Sequence, residues 1–489
     1  MFEQNFKKRR YKMPRTMAAR RYYRRAKKQR NEDQNMKSTE IAGIRAREIL
    51  DSRGNPTVEA TLWLADGSIG RASVPSGAST GIFEALELRD GDSARFGGRG
   101  VLRALDSITQ RIAPSLIGVD AALPGAADRV ILTLDGTENK ANLGSNATLA
   151  VSLAAVKAAA AHYSLPFYRM MGGMTATRLP IPMLNILNGG AHASNNIEIQ
   201  EFMIVPHGFS DIGSALRCAV EIYHTLGGII RSRGLSTTVG DEGGFAPDLG
   251  SDEEALEMIC EAIHSAGYDT SRVSIALDAA AGEWYNSERA LYCMPKRGVT
   301  LDRAEMCEHF ENLVRRFPIC SLEDPLDQRD FDGFAQLTER IGKHVMLVGD
   351  DLFVTNAARL YEGIKKRAAN AVLVKPNQIG TLHETLTLIR TARENGYNFI
   401  LSHRSGETED TSIADIAVAT GAPFIKTGAP CRSERTAKYN RLLEISEELG
   451  DAALYGVITQ KNGRIFDHTV RCGGDDTNIG DTPCPSCML

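Results

Sequence analysis

Residues 345–375 read VMLVGDDLFVTNAARLYEGIKKRAANAVLVK and contain one complete repeat of the pattern that decides the fold. An apolar run at 345–348 is followed by two acids and a helical segment, and a second apolar run at 371–374 is followed by Lys375. Short apolar runs separated by helices are typical of buried parallel strands. The stretch therefore predicts a strand–helix–strand unit with a charged residue at the end of each strand.

The same pattern extends from this unit in both directions. Further apolar runs cover residues 273–277, 319–322, 399–401 and 423–425. A polar residue stands at or just past the end of every run: Asp278, Glu323, Asp350, Lys375, His403 and Lys426. These residues are 45, 27, 25, 28 and 23 positions apart, mostly close to the length of one βα unit.

Polar groups at successive strand ends favour one topology over its main alternative. The carboxyl ends of the strands converge at the top of a β/α barrel, where such folds carry their chemistry. A doubly wound sheet contains similar strands, but its polar groups gather at one switch point. The recurrence at every strand predicts a barrel.

The sequence before the barrel predicts a different architecture. Residues 58–73 alternate apolar and polar side chains around a turn at 65–68, which is typical of a β-hairpin. Helical sequence follows, notably the alanine-rich run 146–162. We therefore expect an α/β protein, with an α+β N-terminal domain over residues 36–170 and a β/α barrel over residues 171–465.

Charge sets the N-terminal extension apart from the rest of the chain. Residues 1–35 hold 13 lysines and arginines against three acids, a balance of +10, whereas the whole chain carries −4 and the remainder therefore −14. This composition predicts a disordered extension, and the tail over residues 466–489 is also expected to be poorly ordered. The acidic body argues against nucleic-acid binding by the core. The extension, in which tyrosines alternate with basic residues, leaves open a nucleic-acid-binding or surface-binding role.

Composition also predicts the compartment. No apolar run is long enough to span a bilayer, and no apolar segment follows the N-terminal charges as in a signal peptide. The nine cysteines are scattered, with only Cys484 and Cys487 close together. That distribution favours reduced thiols over a disulfide framework. We expect a cytoplasmic protein, with a secondary cell-surface or secreted pool as an alternative.

Three acids at consecutive strand ends predict a metal site. Asp278, Glu323 and Asp350 would repel one another in one barrel mouth unless a cation lay between them, and oxygen ligands select a hard metal such as Mg²⁺. Three unrelated strand-end acids are the alternative. Lys375 and Lys426 would bring two ammonium groups to the same mouth.

Another cation and a divalent metal nearby lower the pKa of a lysine and make it a candidate general base. Alternatively, either lysine pairs with a metal-site acid. Acids and lysines together indicate metal-assisted proton abstraction next to a carboxylate.

Three loops add weaker signals. Arg404 and Ser405 after a strand supply a guanidinium fork and a hydroxyl that suit a phosphate or a carboxylate. Residues 240–244 place Glu242 in a glycine-rich turn, where backbone can approach a ligand closely. The small residues of 75–81 are typical of a flexible loop that could act as a lid. Each segment taken singly is also compatible with an ordinary loop or turn.

Several of these segments, read together, resemble the signature sequences of the enolase family. They are residues 51–57, 75–81, 84–90, 200–203, 240–244, 375–380 and 402–409. The resemblance runs from about Ile41 to Gly450 in the order and spacing of the family. It implies Mg²⁺-dependent, reversible dehydration of 2-phosphoglycerate to phosphoenolpyruvate, a step of glycolysis and gluconeogenesis.

The resemblance also implies catalytic and metal-binding roles. Lys375 would take the C2 proton, and Glu242 would be the acid that helps hydroxide leave from C3. Two Mg²⁺ ions are implied. The first would be held by Asp278, Glu323 and Asp350, and the second site would be completed by Ser79 when its loop closes.

Substrate contacts and assembly follow from the same resemblance. Arg404 and Ser405 match the phosphate contacts, and Lys426 matches the lysine near the substrate carboxylate. Further active-site positions are matched by His192, Gln200, Glu201 and His403. The family implies an irregular barrel that opens with two antiparallel-type strands and two helices, and a homodimer or homo-octamer. A sugar-acid dehydratase or racemase on the same barrel is the nearest rival, but such relatives lack the signatures at 240–244 and 402–409.

Members of the family usually begin near Met36, so we expect Met36 to be the start of the protein and residues 1–35 to be upstream sequence. A transit peptide fits the extension only in part, because residues 1–35 contain many lysines and no serine. Intact-mass measurement of the protein from its native cell tests this expectation, and a mass that includes residues before Met36 contradicts it. If the extension is present, salt-sensitive RNA binding that is lost on deleting residues 1–35 would assign it a function.

Overall fold

The computed structural model describes residues 38–77 and 81–456. The predicted extension over residues 1–35, the predicted tail over 466–489 and Ser79 lie outside the described residues. The expectations for these segments therefore stay predictions.

The N-terminal part begins with an antiparallel sheet of three strands. These are β1 (Ile41–Leu50), β2 (Pro56–Leu64) and β3 (Ile69–Ser73), paired in the order β1-β2-β3. The predicted hairpin is confirmed as β2 and β3, and Asp66 stabilises its turn by accepting a hydrogen bond from the Ser68 amide at 2.8 Å. Sequence reasoning did not identify β1.

Helices follow the sheet and pack on it. They are α1 (Leu102–Asp106), α2 (Ala113–Leu116), α3 (Ala126–Asp135), α4 (Ser145–His162) and α5 (Phe167–Gly172), with a π-helical turn at Ser107–Ile112. The alanine-rich α4 is buried over most of its circumference. Its small side chains allow β3 to approach so closely that a Cβ atom on Gly70 would lie 2.0 Å from the Ala154 carbonyl oxygen.

The second part is a closed eight-stranded barrel. Its strands are β5 (Ile181–Asn188), β6 (Glu201–Pro206), β7 (Val273–Asp278), β11 (Ile319–Glu323), β12 (Met346–Gly349), β13 (Ala371–Val374), β14 (Asn398–Ser402) and β15 (Phe424–Lys426). They close in the order β11-β12-β13-β14-β15-β5-β6-β7. Closure excludes the doubly wound sheet. Each apolar run predicted from the sequence lies within one residue of an observed strand, because strands covered on both faces are apolar throughout.

The remaining elements surround the barrel. The helices are α6 (Ile212–Ser232), α7 (Asp252–Ser265), α8 (Arg303–Arg316), α9 (Phe331–Ile341), α10 (Ala357–Lys366), α11 (Pro376–Ile379), α12 (Leu382–Glu394), α13 (Ser412–Thr420) and α14 (Ser433–Leu449). The remaining strands are short. β4 (Arg178–Leu179) pairs with β16 (Leu454–Tyr455). A small sheet is formed by β8 (Tyr285–Asn286), β9 (Leu291–Met294) and β10 (Val299–Leu301).

One barrel strand runs against its neighbours. β6 pairs antiparallel with both β5 and β7, whereas the other barrel pairings are parallel, and two helices separate β6 from β7. The irregular opening implied by the family resemblance is therefore confirmed. Because β6 is reversed, its first residue, Glu201, lies beside the last residue of β7, Asp278. The same rim thus receives the carboxyl ends of seven strands and the amino end of one.

The N-terminal part braces this rim through α4. Thr148 Oγ1 donates to the Gly380 carbonyl oxygen at 2.7 Å, and the Leu382 amide donates to Ser152 Oγ at 2.9 Å. The Gly380 carbonyl and the Leu382 amide both belong to the segment that follows Lys375. Packing between the two parts therefore fixes the backbone next to a predicted catalytic residue.

Among the described residues no single helix is long and apolar enough to cross a bilayer. The bent pair Ser145–His162 and Phe167–Thr175 passes a test of length and composition alone, and its first member, α4, is a core helix.

Replacing Gly70 with alanine tests the close packing of β3 on α4. The new Cβ would overlap backbone atoms of Ala154 and Ala158, which cannot rotate away. Overpacking costs about 1–3 kcal/mol or more, so we expect Gly70→Ala to lower the melting temperature by several degrees. Gly228→Ala is the matched control, since open space surrounds this exposed position in α6 and alanine favours a helix. Equal melting temperatures for the two variants would contradict the packing argument.

Candidate active site

Predicted functional residues gather at the carboxyl rim of the barrel. Eleven of the thirteen line one pocket: His192, Gln200, Glu201, Glu242, Asp278, Asp350, Lys375, His403, Arg404, Ser405 and Lys426. Glu323 is bonded to Lys426 just beneath the pocket, and Ser79 lies outside the described residues. The strand-end series therefore does converge on one mouth.

Lys426 is a fully buried ammonium held by three carboxylates. Its Nζ lies 2.8 Å from Asp278 Oδ2, 2.9 Å from Glu323 Oε2 and 3.3 Å from Glu201 Oε1. Burial alone would lower the pKa of Lys426, but these carboxylates outweigh it and raise the pKa well above its usual range. Lys426 is therefore a fixed cation that ties three strand ends together.

Lys375 is the other lysine that lines the pocket; it is partly buried and pairs with Asp350. Burial, Arg404 and Lys426 each lower its pKa, but the adjacent Asp350 carboxylate reverses the sum and raises it. Among the protein groups alone, a carboxylate in direct contact therefore outweighs the neighbouring cations, and the expectation for Lys375 beside a divalent metal stays a prediction. The alternative considered from the sequence, that each lysine pairs with an acid at the strand ends, describes the structure.

Carboxyl groups outnumber cations in this mouth. Of the described residues that line the pocket, eight are acids and three are Lys or Arg. The acids are Glu84, Glu201, Glu242, Asp278, Glu283, Asp324, Asp350 and Asp351. Burial and the neighbouring Asp278 raise the pKa of Glu323 well above its usual range, which shows the cost of crowding like charges. An excess of buried oxygen ligands fits a hard cation.

The tightest acid group only partly matches the predicted metal ligands. Carboxylate oxygens of Asp324, Asp350 and Asp351 lie within 4.8 Å of one another. Asp324 is held in place because its two oxygens accept hydrogen bonds from the amides of Asp350 and Asp351, at 3.0 and 2.7 Å. Burial and Asp350 raise the pKa of Asp351 to about 7. Asp278 and Glu323 are instead engaged by Lys426.

Across the pocket, Glu201 and Glu242 form a second charged group. His192 Nδ1 lies 3.8 Å from an oxygen of each, and Asn185 Nδ2 donates to Glu242 Oε2 at 3.2 Å. Burial and the Glu242 charge raise the pKa of Glu201 well above its usual range. Burial would also raise the pKa of Glu242, but the imidazoles of His403 and His192 outweigh it and lower the pKa. The pair can therefore share one proton, held mainly by Glu201.

The glycine-rich turn at 240–244 brings Glu242 to this position. Phe245 amide and carbonyl groups bond to the β5 backbone at Ile186 and Asn188, which fixes the turn beside the strand. Gly243 has a φ of +91°, and a Cβ there would lie 2.9 Å from the Ala429 side chain. The glycine thus permits the turn to pass close to the segment after β15.

Arg404 is the anion-binding candidate, and an acid already engages it. Its Nη1 donates to Glu84 Oε2 at 2.8 Å and to Asn377 Oδ1 at 3.2 Å. Glu84 lies in the N-terminal part, so this pair crosses between the two parts. Gln200 Nε2 lies 3.5 Å from Asp278 Oδ2, and Ser405 is buried at the pocket wall.

Sequence reasoning missed several residues of this site. Asp324 and Asp351 each stand one position after a predicted ligand, so extending each strand end by one residue could have found them. Glu84 lies within a quoted segment without an assigned role. Asn185 in β5 and Arg435 in α14 carry no local signal, because only the closed barrel brings them to the mouth.

Comparison with known families agrees with this architecture. The model of the enolase N-terminal domain matches residues 41–171, and the model of the enolase C-terminal TIM barrel domain matches residues 176–463. Together the two matches cover more than four fifths of the chain, in the order that the fold requires. The chain therefore belongs to the enolase family.

Proposed function

We propose that this protein is an enolase that reversibly dehydrates 2-phosphoglycerate to phosphoenolpyruvate in the cytoplasm. Family membership indicates a lyase-type enzyme with a phosphorylated small-molecule substrate. The observation that carries the finer proposal is the placement of a lysine and a carboxyl group on opposite sides of one mouth. Lys375 follows β13, whereas Glu242 lies beside β5, three strands away in the eight-stranded ring.

Opposed placement suits an elimination. A substrate held between the two residues can lose its C2 proton to Lys375. The hydroxide on C3 can leave on the other side, where Glu242 is the acid that assists its departure. Lys375 must be neutral to accept a proton, and its pair with Asp350 opposes that. The base form therefore requires the charge of Asp350 to be balanced by another group.

Two Mg²⁺ ions are the proposed cofactors. Asp278, Glu323 and Asp350 would hold one of them, and the excess of carboxyl groups supports this assignment. Asp324 positions Asp350 through its backbone amide. When bound, the metal supplies positive charge that stabilises the negative charge developing on the substrate carboxylate. Ser79 is proposed for the second ion by resemblance alone.

The proposed acid, Glu242, and the proposed anion-binding residue, Arg404, complete the site. Glu201 and Glu242 share a proton that can be delivered to the leaving hydroxide, and Asn185 orients Glu242. Arg404 presents a guanidinium fork suited to a phosphate, with Glu84 holding the fork in place. Lys426 is proposed to lie near the substrate carboxylate. A homodimer or homo-octamer also stays a prediction from the resemblance.

Exchange of the C2 proton separates the roles of Lys375 and Glu242. We expect Lys375→Ala to lower both exchange and dehydration by at least about 100-fold, since a general base contributes about 10²–10⁴-fold. Glu242→Gln should lower dehydration by a similar factor but leave exchange largely intact, because the base is untouched. Deuterium exchange followed by NMR, with phosphoenolpyruvate formation followed by absorbance, measures both. Lys366→Ala, a surface lysine paired with Asp332, is the control.

The role assignment is wrong if both variants form phosphoenolpyruvate at the wild-type rate. Failure of the wild-type protein with 2-phosphoglycerate and Mg²⁺, together with dehydration of a sugar acid, would support the rival member of the same barrel class.

Magnesium should stabilise the folded protein through the acid cluster. A ligand that binds only the native state at 100 times its Kd adds about 2.7 kcal/mol, so we expect a clear rise in melting temperature relative to EDTA. Asp350→Asn and Asp278→Asn should each shift the midpoint of the Mg²⁺ titration at least about 10-fold, since each removes a carboxylate ligand. Asp332→Asn, an exposed acid on α9, is the matched control. An unchanged Mg²⁺ response in Asp350→Asn would overturn the ligand assignment.

A further inference from the structure

Arg435 is a buried cation behind the acid side of the pocket. It lies in the first turn of α14 with no exposed surface. Its guanidinium donates to the carbonyl oxygens of Arg404 and Ser405 at 2.6 and 2.7 Å, and to that of Asp241 at 3.3 Å. The nearest carboxylate oxygen recorded, on Glu434, is 3.5 Å from Nε. Arg435 therefore joins the turn that carries Glu242 to the loop that carries His403.

The same guanidinium also fixes the chemistry of His403. Arg435 Nη1 lies 2.5 Å from His403 Nδ1. A guanidinium can only donate, so Nδ1 must be the acceptor and carry no proton. A neutral His403 then has its proton on Nε2, which lies 3.5 Å from Glu242 Oε2. One tautomer, with its N–H toward the acid, is thus the one that satisfies Arg435.

We propose that Arg435 is a positioning residue for the acid Glu242 and acts through the tautomer of His403. His403 Nε2–H and Asn185 Nδ2 both face Glu242 Oε2, the latter at 3.2 Å, so this oxygen is held as an acceptor. When Glu242 carries the shared proton, the proton is thereby directed to Oε1, the oxygen on the His192 side. The effect of Arg435 on dehydration rests on the proposed function, whereas the assignment of the His403 tautomer does not.

Charge and burial keep His403 neutral. Burial and the Arg435 charge lower its pKa to about 4, although Glu242 and Glu407 both oppose the shift. A protonated ring would turn an N–H toward the guanidinium and add a cation beside Arg435. It would also stabilise the Glu242 carboxylate, which lowers the pKa of Glu242 and reduces the fraction that carries a proton to donate. Loss of Arg435 should therefore let His403 titrate at a higher pH and impair dehydration as the pH falls.

The same helix offers a matched control. Lys438, one turn farther along α14, is also a fully buried cation. Its Nζ bonds to Glu407 Oε2 at 3.0 Å and to the carbonyl oxygens of Thr408 and Glu434 at 2.6 and 2.7 Å. It supports the same loop but makes none of these bonds to His403. If the role of Arg435 were merely structural, Lys438→Met would have the same effect as Arg435→Met.

Kinetics across pH test the inference in the full-length enzyme. We expect Arg435→Met to raise the acid limb of the kcat profile by about 1–2 pH units, and so to lower dehydration by about 10–100-fold at pH values below the shifted limb. C2 proton exchange, the step assigned to Lys375, should change far less, and Arg435→Lys should recover part of the loss. Lys438→Met should leave the position of the acid limb unchanged. An equal shift in Lys438→Met, or no shift in Arg435→Met, would overturn the role of Arg435.

A spectroscopic measurement tests the His403 tautomer independently of catalysis. NMR of protein labelled with ¹⁵N-histidine reports which ring nitrogen is protonated, and His403→Gln identifies the resonances of His403. We expect wild-type His403 at neutral pH to carry its proton on Nε2, and Arg435→Met to show mixed or charged forms.

A wild-type Nδ1–H form or imidazolium overturns the inference, even if Arg435→Met fails to fold. If wild-type protein shows the Nε2–H form but does not turn over 2-phosphoglycerate, the proposed function fails while the tautomer assignment stands.

Discussion

The Lys426 ammonium and the carboxylates around it form the interaction on which the barrel mouth depends. Asp278, Glu323 and Glu201 come from three adjacent strands, and Lys426 reaches them from a fourth strand elsewhere in the ring. Removing one partner from a buried ion pair leaves an uncompensated charge and typically costs about 3–5 kcal/mol. The mouth therefore accepts a crowded set of acids because a cation is fixed among them, and this crowding is what makes the site suitable for a metal and for acid–base chemistry.

The N-terminal part shapes the same mouth from outside the barrel. Ser76 and Gly406 exchange two backbone hydrogen bonds of 2.8 and 2.9 Å, and the Ser52 amide donates to the Glu407 carbonyl oxygen at 2.8 Å. The loop that carries Arg404 is thus held between the barrel and the first domain. Glu84 adds a charge pair to Arg404 from the same side. A barrel alone would leave this loop without much of its support, which explains why the site needs both parts.

The sequence predicts those features of the fold and of the site that are encoded by neighbouring residues in the chain. Buried parallel strands are continuous apolar runs, so their positions and their charged ends were readable within one residue. The reversal of β6 was not, because strand direction is set by packing and not by composition; it entered only through the family resemblance. Arg435 stands far along the chain from His403 and Glu242 in a helix with an ordinary pattern. Its role arises from three-dimensional contacts that no periodicity encodes.

Lys375 shows most clearly why residue types at one rim do not determine their protonation. Burial and the neighbouring Arg404 and Lys426 each lower the pKa of Lys375, yet the contact with Asp350 raises it. Coulomb energy falls with distance and is weakly screened in a buried site, so one touching carboxylate outweighs two cations farther away. In the proposed function Asp350 is also a metal ligand, so Lys375 and the metal would compete for the same carboxylate. Binding of the metal and release of a usable base would then be thermodynamically linked.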